Sequence, residues 1–167
     1  ARAWAARTWR MVEAQHVAST MKIVDDADEQ LLLETLLDGS KPPIASATTG
    51  MHYLLASPFR YPPRQGGSRF RDANAPGVFY GAQYVRTACA ELGYWRWKFL
   101  MDAVDLSRIE PVAHTAFSVD VSAQAVDLRA PPFDRDAAVW THPAEYLPCQ
   151  EFATVARSAE IGGIVYQ

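Results

Sequence analysis

Hydrophobic and polar positions alternate along this chain with two different periods, and the changes of period mark out its elements. Residues 25–38, DDADEQLLLETLLD, open on acidic residues suited to a helix amino end and continue with Leu32, Leu33, Leu36 and Leu37 at helical spacing, predicting a helix that Gly39 stops. KPPI at 41–44 forces an extended passage, and MHYLLA at 51–56 predicts a short helix closed by Pro58. Gly66, Gly67 and the pair Pro62 and Pro63 read as loop, with short strands expected over 68–71 and 78–82 around a turn at 74–77. The period returns to helical from Val85 to about Ala103, with Ala88, Leu92, Trp95 and Phe99 along one face and Glu91 at the edge of that stripe. Strict alternation follows in HTAFSVDVS, where Thr115, Phe117, Val119 and Val121 share one side, the clearest strand of the chain. A loop over 130–143 carries three prolines, a helix begins near Pro148 with the proline in its first turn, and Gly162 to Tyr166 reads as a final strand.

Helices and short strands follow one another irregularly, without repeated parallel crossovers, so the expected class is α+β. At 167 residues, with 49% hydrophobic and 21% charged residues, the chain is the size of one ordinary domain able to bury its own core. We expect a single domain over 1–167, made of an N-terminal helical portion, 1–57, and a ligand-site core, 58–167. No internal repeat or low-complexity tract interrupts it.

Charge narrows the function. The net charge of -3 and a pI near 5.8 argue against an extended phosphate-backbone surface. The longest apolar run, 31–37, is broken by Glu34 and falls far short of the ~20 residues of a membrane span. Arg2, Arg7 and Arg10 break up any signal-like segment, so the cytoplasm is the expected location. Cys89 and Cys149 stand 60 residues apart without ligand spacing and read as reduced, core-facing thiols; the four histidines are scattered, and no metal is expected. Dinucleotide-binding GxGxxG, phosphate-loop, GxSxG and HExxH motifs are absent from the sequence.

Against this acidic background, Arg60, Arg64, Arg69 and Arg71 fall within a dozen residues, with Tyr61, Tyr80 and Tyr84 nearby and Glu91 beyond them. Arginine forks bind phosphate oxygens, tyrosines offer flat faces to a base or ring, and a carboxylate can stabilise positive charge growing on an anomeric carbon. These residue types fit a nucleotide-sugar ligand whose glycosidic bond is attacked. Each has a plainer reading beside it. Glu91 fits a solvated helix residue paired with Arg96 or Lys98, Arg60 a loop arginine at a helix end, and Tyr80 a core residue as well as a pocket wall. Arg64 and Arg71 read as solvated rim charges, and Trp95 and Trp97 as core and surface of one helix.

The order and spacing resemble the RES family of bacterial toxins, named after an Arg, a Glu and a Ser. Arg60 and Tyr61 in PFRYPP look like its first Arg-Tyr pair, and GSRFR at 67–71 like its Gly-Gly-Arg-aromatic motif, which makes Arg69 the second arginine. VFYGA is similar to the family's apolar-Tyr-small segment and supplies Tyr80, while TACAE carries the helix glutamate as Glu91. RTWRMVEAQH and SKPPI resemble the branch called ParT. The resemblance implies an ADP-ribosyltransferase-like fold and NAD as substrate, with the nicotinamide-ribose bond cleaved. Arg60 and Glu91 are then the catalytic pair, and Tyr61, Arg69 and Tyr80 bind NAD. ADP-ribose goes to a protein, with a nucleotide-synthesis enzyme as the implied target, or to water or phosphate. The resemblance further implies a cognate antitoxin that blocks the site and carries a helix-turn-helix DNA-binding domain. A reading from another class, a non-catalytic nucleotide-binding or interaction module, keeps the arginines and tyrosines without needing Glu91.

Two departures stand out. Arg69 follows Arg60 by only nine positions, and the family serine has no clear counterpart. PCQEFATVARSAEIGGIVYQ resembles the late helix and strand, but Leu147 stands where some members have Ser, which makes Gln150 a further site candidate. A Ser-Val-Arg continuation is expected after a tyrosine such as Tyr166, pointing to a chain that runs on past Gln167.

Overall fold

A computed structural model describes residues 1–14, 23–63 and 65–167. Strand β1 (Arg2–Glu13) comes first, followed by helices α1 (Ala27–Ser40), α2 (Tyr53–Arg60) and α3 (Val85–Asp102), strand β2 (His114–Asp127), helices α4 (Ala137–Trp140) and α5 (Leu147–Ser158), and strand β3 (Gly163–Val165). Short 3-10 turns precede α2 at Ser46–Thr48 and α4 at Phe133–Asp136. The described residues therefore mix five helices with one small sheet of order β1-β2-β3. Contacts at Arg2 with Asp127 and Arg7 with Asp120 run in opposite order along β1 and β2, as between antiparallel neighbours, while β3 pairs parallel to β2 with Ala125 opposite Gly163.

The chain divides into two compact units, Ala1–Ala6 with Pro43–Phe79 and Val121–Gln167, and Arg7–Pro42 with Tyr80–Asp120. In the first, Phe70, Ala125, Leu128, Cys149, Ala153 and Ala156 are buried. Small residues let β3 close on β2: a Cβ on Gly163 would come within 3.2 Å of the Ala125 methyl. Phe70 meets Tyr166 edge-on at 4.9 Å, and Phe152 is flanked by Phe133 and Trp140, whose indole Nε1 donates to Phe133 O at 2.8 Å. In the second unit, Thr8, Ala82 and Ala88 are buried, and Thr8 Oγ1 donates to Val119 O. Trp9 and Ala82 exchange both backbone hydrogen bonds, at 2.7 and 2.8 Å, tying β1 to the approach to α3.

The expected helices over 25–38, 85–103 and from 148, and the strands from 114 and 162, are all present. Asp26 caps α1 by accepting from the Asp28 and Glu29 amides, and Pro148 sits in the first turn of α5. Elsewhere the structure departs from the pattern. The N-terminal portion is not wholly helical: residues 2–13 form β1, because pairing with β2 and Ala82 overrides a sequence with no clean alternation. Pro58 does not close α2, which runs on to Arg60 with the proline inside it and without the helical hydrogen bond that Pro58 cannot donate. Residues 68–71 form a tight turn and 78–82 only a bridge at Ala82, not strands. A 3-10 turn and α4 occupy the expected loop at 130–143. Trp95 and Phe99 on α3 are exposed, as is Cys89, so only Ala88 of the expected stripe is buried and only Cys149 of the two free thiols faces a core.

Candidate functional site

Four of the expected site residues, Arg60, Tyr61, Arg69 and Gln150, belong to the first unit, and Tyr80 and Glu91 to the second. The first unit builds its share around a turn that only glycine can enter. Gly66 and Gly67 take φ of 87° and 74°, and a Cβ on Gly67 would overlap the backbone of Arg71 and Asp72. The chain then reverses within four residues: Ser68 N donates to Arg71 O at 2.7 Å, and Arg71 N to Ser68 O at 3.1 Å. Gln150, projecting from the first turn of α5, points its Nε2 at Gly66 O and Ser68 O, both at 3.0 Å. It acts on the turn and pins the loop that carries both arginines.

Those arginines diverge. Arg69 Nη1 donates to Trp140 O and His142 O, each at 2.8 Å, and the guanidinium carbon lies 4.9 Å from the centre of the Tyr146 ring. Beside it the fully buried Cys149 holds its sulfur 3.8 Å from the Val139 and Trp140 carbonyls. Burial pushes that thiol's pKa up, against the opposing charge and hydrogen bond of Arg69. Arg71 turns the other way. Its Nε donates to Ala75 O at 3.2 Å and its Nη2 to Tyr61 O at 3.0 Å, so it is half-buried and ordered, not the solvated rim charge its sequence context suggests.

Next to this turn lies a cleft of about 280 Å³ lined by Ser57, Pro58, Tyr61, Pro62, Pro63, Gly67, Ser68 and Arg71. Its volume is near the lower end of small-molecule pockets. Prolines and the exposed Tyr61 supply flat apolar walls, and Arg71 the charge. Arg60, on the last turn of α2, is half-buried, its charge at the helix end favoured by the dipole. Of the cleft's lining, Ser57 and Ser68 are not among the residues the sequence singles out, and Arg71 stands there only as a rim charge. Arg64 lies outside the described residues.

In the second unit, Tyr80 is half-buried just before Ala82, and Glu91 is exposed on the second turn of α3. Its expected partners are engaged elsewhere: Arg96 donates to Glu110 O at 3.1 Å and Lys98 pairs with Asp102 at 2.9 Å. The cation facing Glu91 is Arg10 of β1, which burial drives below its ordinary pKa while the glutamate's charge opposes the shift. Contact between Cys89 Sγ and Met11 Sδ at 3.8 Å brings this part of α3 to β1. Among the described residues, no group of three or more His, Cys, Asp or Glu is placed to hold a metal ion, and no helix is long and apolar enough to cross a membrane.

Compared with known proteins, residues 43–167 match the family model described as RES domain. No curated protein matches the chain.

Proposed function

The chain belongs to the RES domain family, known from toxin-antitoxin systems with NAD-related activity, and we propose that it is the toxin of such a module, a mono-ADP-ribosyltransferase acting in the cytoplasm. The family match carries this reading, because it spans all the motif residues from Arg60 to Glu91 and continues to Gln167. An ADP-ribosyltransferase-like fold and membership of the ParT-like branch belong to the same proposal. NAD is the substrate, and no metal takes part.

In the proposed reaction the bond from ribose C1′ to the nicotinamide nitrogen breaks and its electron pair leaves with nicotinamide. The ribosyl cation is then captured by an acceptor that loses a proton. Glu91 hydrogen-bonds the ribose and stabilises the cation, and Arg60 offsets the pyrophosphate charge. Tyr61 and Tyr80 frame the nicotinamide and its ribose. Arg69 acts in NAD binding chiefly as the cationic anchor of its turn, since Trp140 and His142 already accept from its Nη1. Gln150 holds the same turn from behind.

The proposed partners are a protein acceptor in nucleotide synthesis and an antitoxin with a helix-turn-helix domain, whose acidic tail would reach the arginines. An Arg60→Ala, Arg69→Ala double variant should bind that antitoxin more weakly, and unchanged affinity would remove the electrostatic part of the reading. The enzymatic part is tested by incubating the chain with NAD and following free nicotinamide. Wild type should release it, and Glu91→Gln should lose activity by a factor of at least 10². Absence of release from wild type with NAD still bound would leave a non-catalytic nucleotide-binding module.

A further inference from the structure

The geometry points to Arg71 as an anion-contacting residue that, with Tyr61 and Ser68, makes the 280 Å³ cleft a subsite for a phosphate group of the nucleotide. This inference rests on the reading of the chain as a nucleotide-binding protein and adds a residue to it. Arg69 and Arg71 leave the same four-residue turn, yet only Arg71 lines the cleft; Arg69 is turned to the carbonyls of Trp140 and His142. Arg71 is held in place by what it donates. Its Nε and Nη2 bond to Ala75 O and Tyr61 O, which fixes the plane of the guanidinium, and Nη1 takes no part in either bond. A fork fixed by the protein loses little freedom when an oxyanion arrives, so more of the charge-assisted hydrogen bond is kept as affinity.

The surroundings suit an anion with an apolar neighbour. Asp72, the adjacent carboxylate, accepts from Asn74 N at 2.7 Å within its own turn. Ser57 and Ser68 add small polar groups to the lining, and Pro58, Pro62, Pro63 and Tyr61 add apolar surface to it. Because Arg71 also holds the carbonyl of Tyr61, the charged group and the ring-bearing residue are positioned together. The turn is closed by the paired Ser68 and Arg71 backbone hydrogen bonds and held from α5 by Gln150.

Two measurements test this, and neither reads catalysis. In the first, the wild-type chain is modified with phenylglyoxal with and without inorganic pyrophosphate, and each arginine is followed by peptide mass spectrometry. Arg71 should be protected several-fold by pyrophosphate, and equal modification in both samples would overturn the inference. In the second, ADP-ribose and adenosine are titrated into wild type, Arg71→Gln and Arg71→Lys. Arg71→Gln should weaken ADP-ribose about tenfold or more while changing adenosine little, and Arg71→Lys should recover part of the loss. An equal loss for both ligands would show that Arg71 only holds the turn. If Arg71→Gln does not fold, the protection experiment on the unaltered chain decides. A chain that releases no nicotinamide but protects Arg71 would keep this subsite and remove the proposed enzyme. One that cleaves NAD with Arg71 unprotected would do the reverse.

Discussion

One amide nitrogen holds the turn on which two arginines depend. Gln150 Nε2 is shared between the Gly66 and Ser68 carbonyls, so Gln150→Leu would remove both of these bonds, while Ser68 O would still accept from Arg71 N. The expected cost is about 0.5–1.5 kcal/mol of stability, read from denaturant midpoints, together with weaker ADP-ribose binding because the turn that carries Arg71 loses its tie to α5. Loss of stability with unchanged ADP-ribose affinity would separate the turn from the ligand. The two cysteines offer a reading of burial at the same scale. Cys149 is fully buried with its pKa raised, and Cys89 is exposed on α3. Iodoacetamide added to the native protein at pH 8 should therefore alkylate Cys89 and spare Cys149, with both sites labelled only in denaturant. Rapid native labelling of Cys149 would contradict the packing of α5 on the Arg69 carbonyl cluster.

At the scale of elements, the end of β2 carries the strongest electrostatic signature. Asp127 accepts from Arg129 Nε at 2.8 Å and from Arg129 N at 3.0 Å, and pairs with Arg2 at 3.1 Å. The Arg129 hydrogen bond is the main cause holding its carboxyl down at about 2, well below the ordinary range. The unfolded carboxyl titrates near 3.9, so the stabilisation of about 2 kcal/mol is complete above about pH 4 and is lost as the pH falls toward 2. Asp127→Asn should lower stability at pH 7 by that amount and flatten the acid limb between pH 4 and 2. An unaltered acid limb in urea titrations would place the acid sensitivity elsewhere. The elements themselves differed in how plainly the sequence carried them. Helices α1, α3 and α5 and strand β2 declare themselves because cap, period and proline position are local properties. Strand β1 does not, since its pairing partners at Ala82 and in β2 lie tens of residues away. Motif order singles out Arg60, Tyr61, Arg69, Tyr80 and Glu91 as candidates, whereas the different hydrogen-bond partners of Arg69 and Arg71 are not visible in the sequence. Neighbouring arginines on one turn look alike in sequence, and only carbonyls contributed from 75 and from 140–142 tell them apart.

For the molecule as a whole, charge and family membership meet in the question of the acceptor. A net charge of -3 with arginines gathered near 60–71 is consistent with the proposed small anionic nucleotide as ligand. In the proposed reaction the ribosyl cation left by nicotinamide would react with whichever nucleophile is positioned at C1′, so the products report the acceptor directly. NAD labelled in its adenylate phosphate, incubated with the chain and a bacterial extract, should place label in a discrete protein band. The band should be absent with Glu91→Gln, and should fade as NaCl is raised because the arginine contacts to pyrophosphate are screened. Accumulation of free ADP-ribose, or of its 1-phosphate when inorganic phosphate is supplied, with no labelled protein, would assign the chain to NAD depletion. Label in protein from both wild type and Glu91→Gln would place the cation-stabilising group at another residue, with Arg60 the first to be replaced.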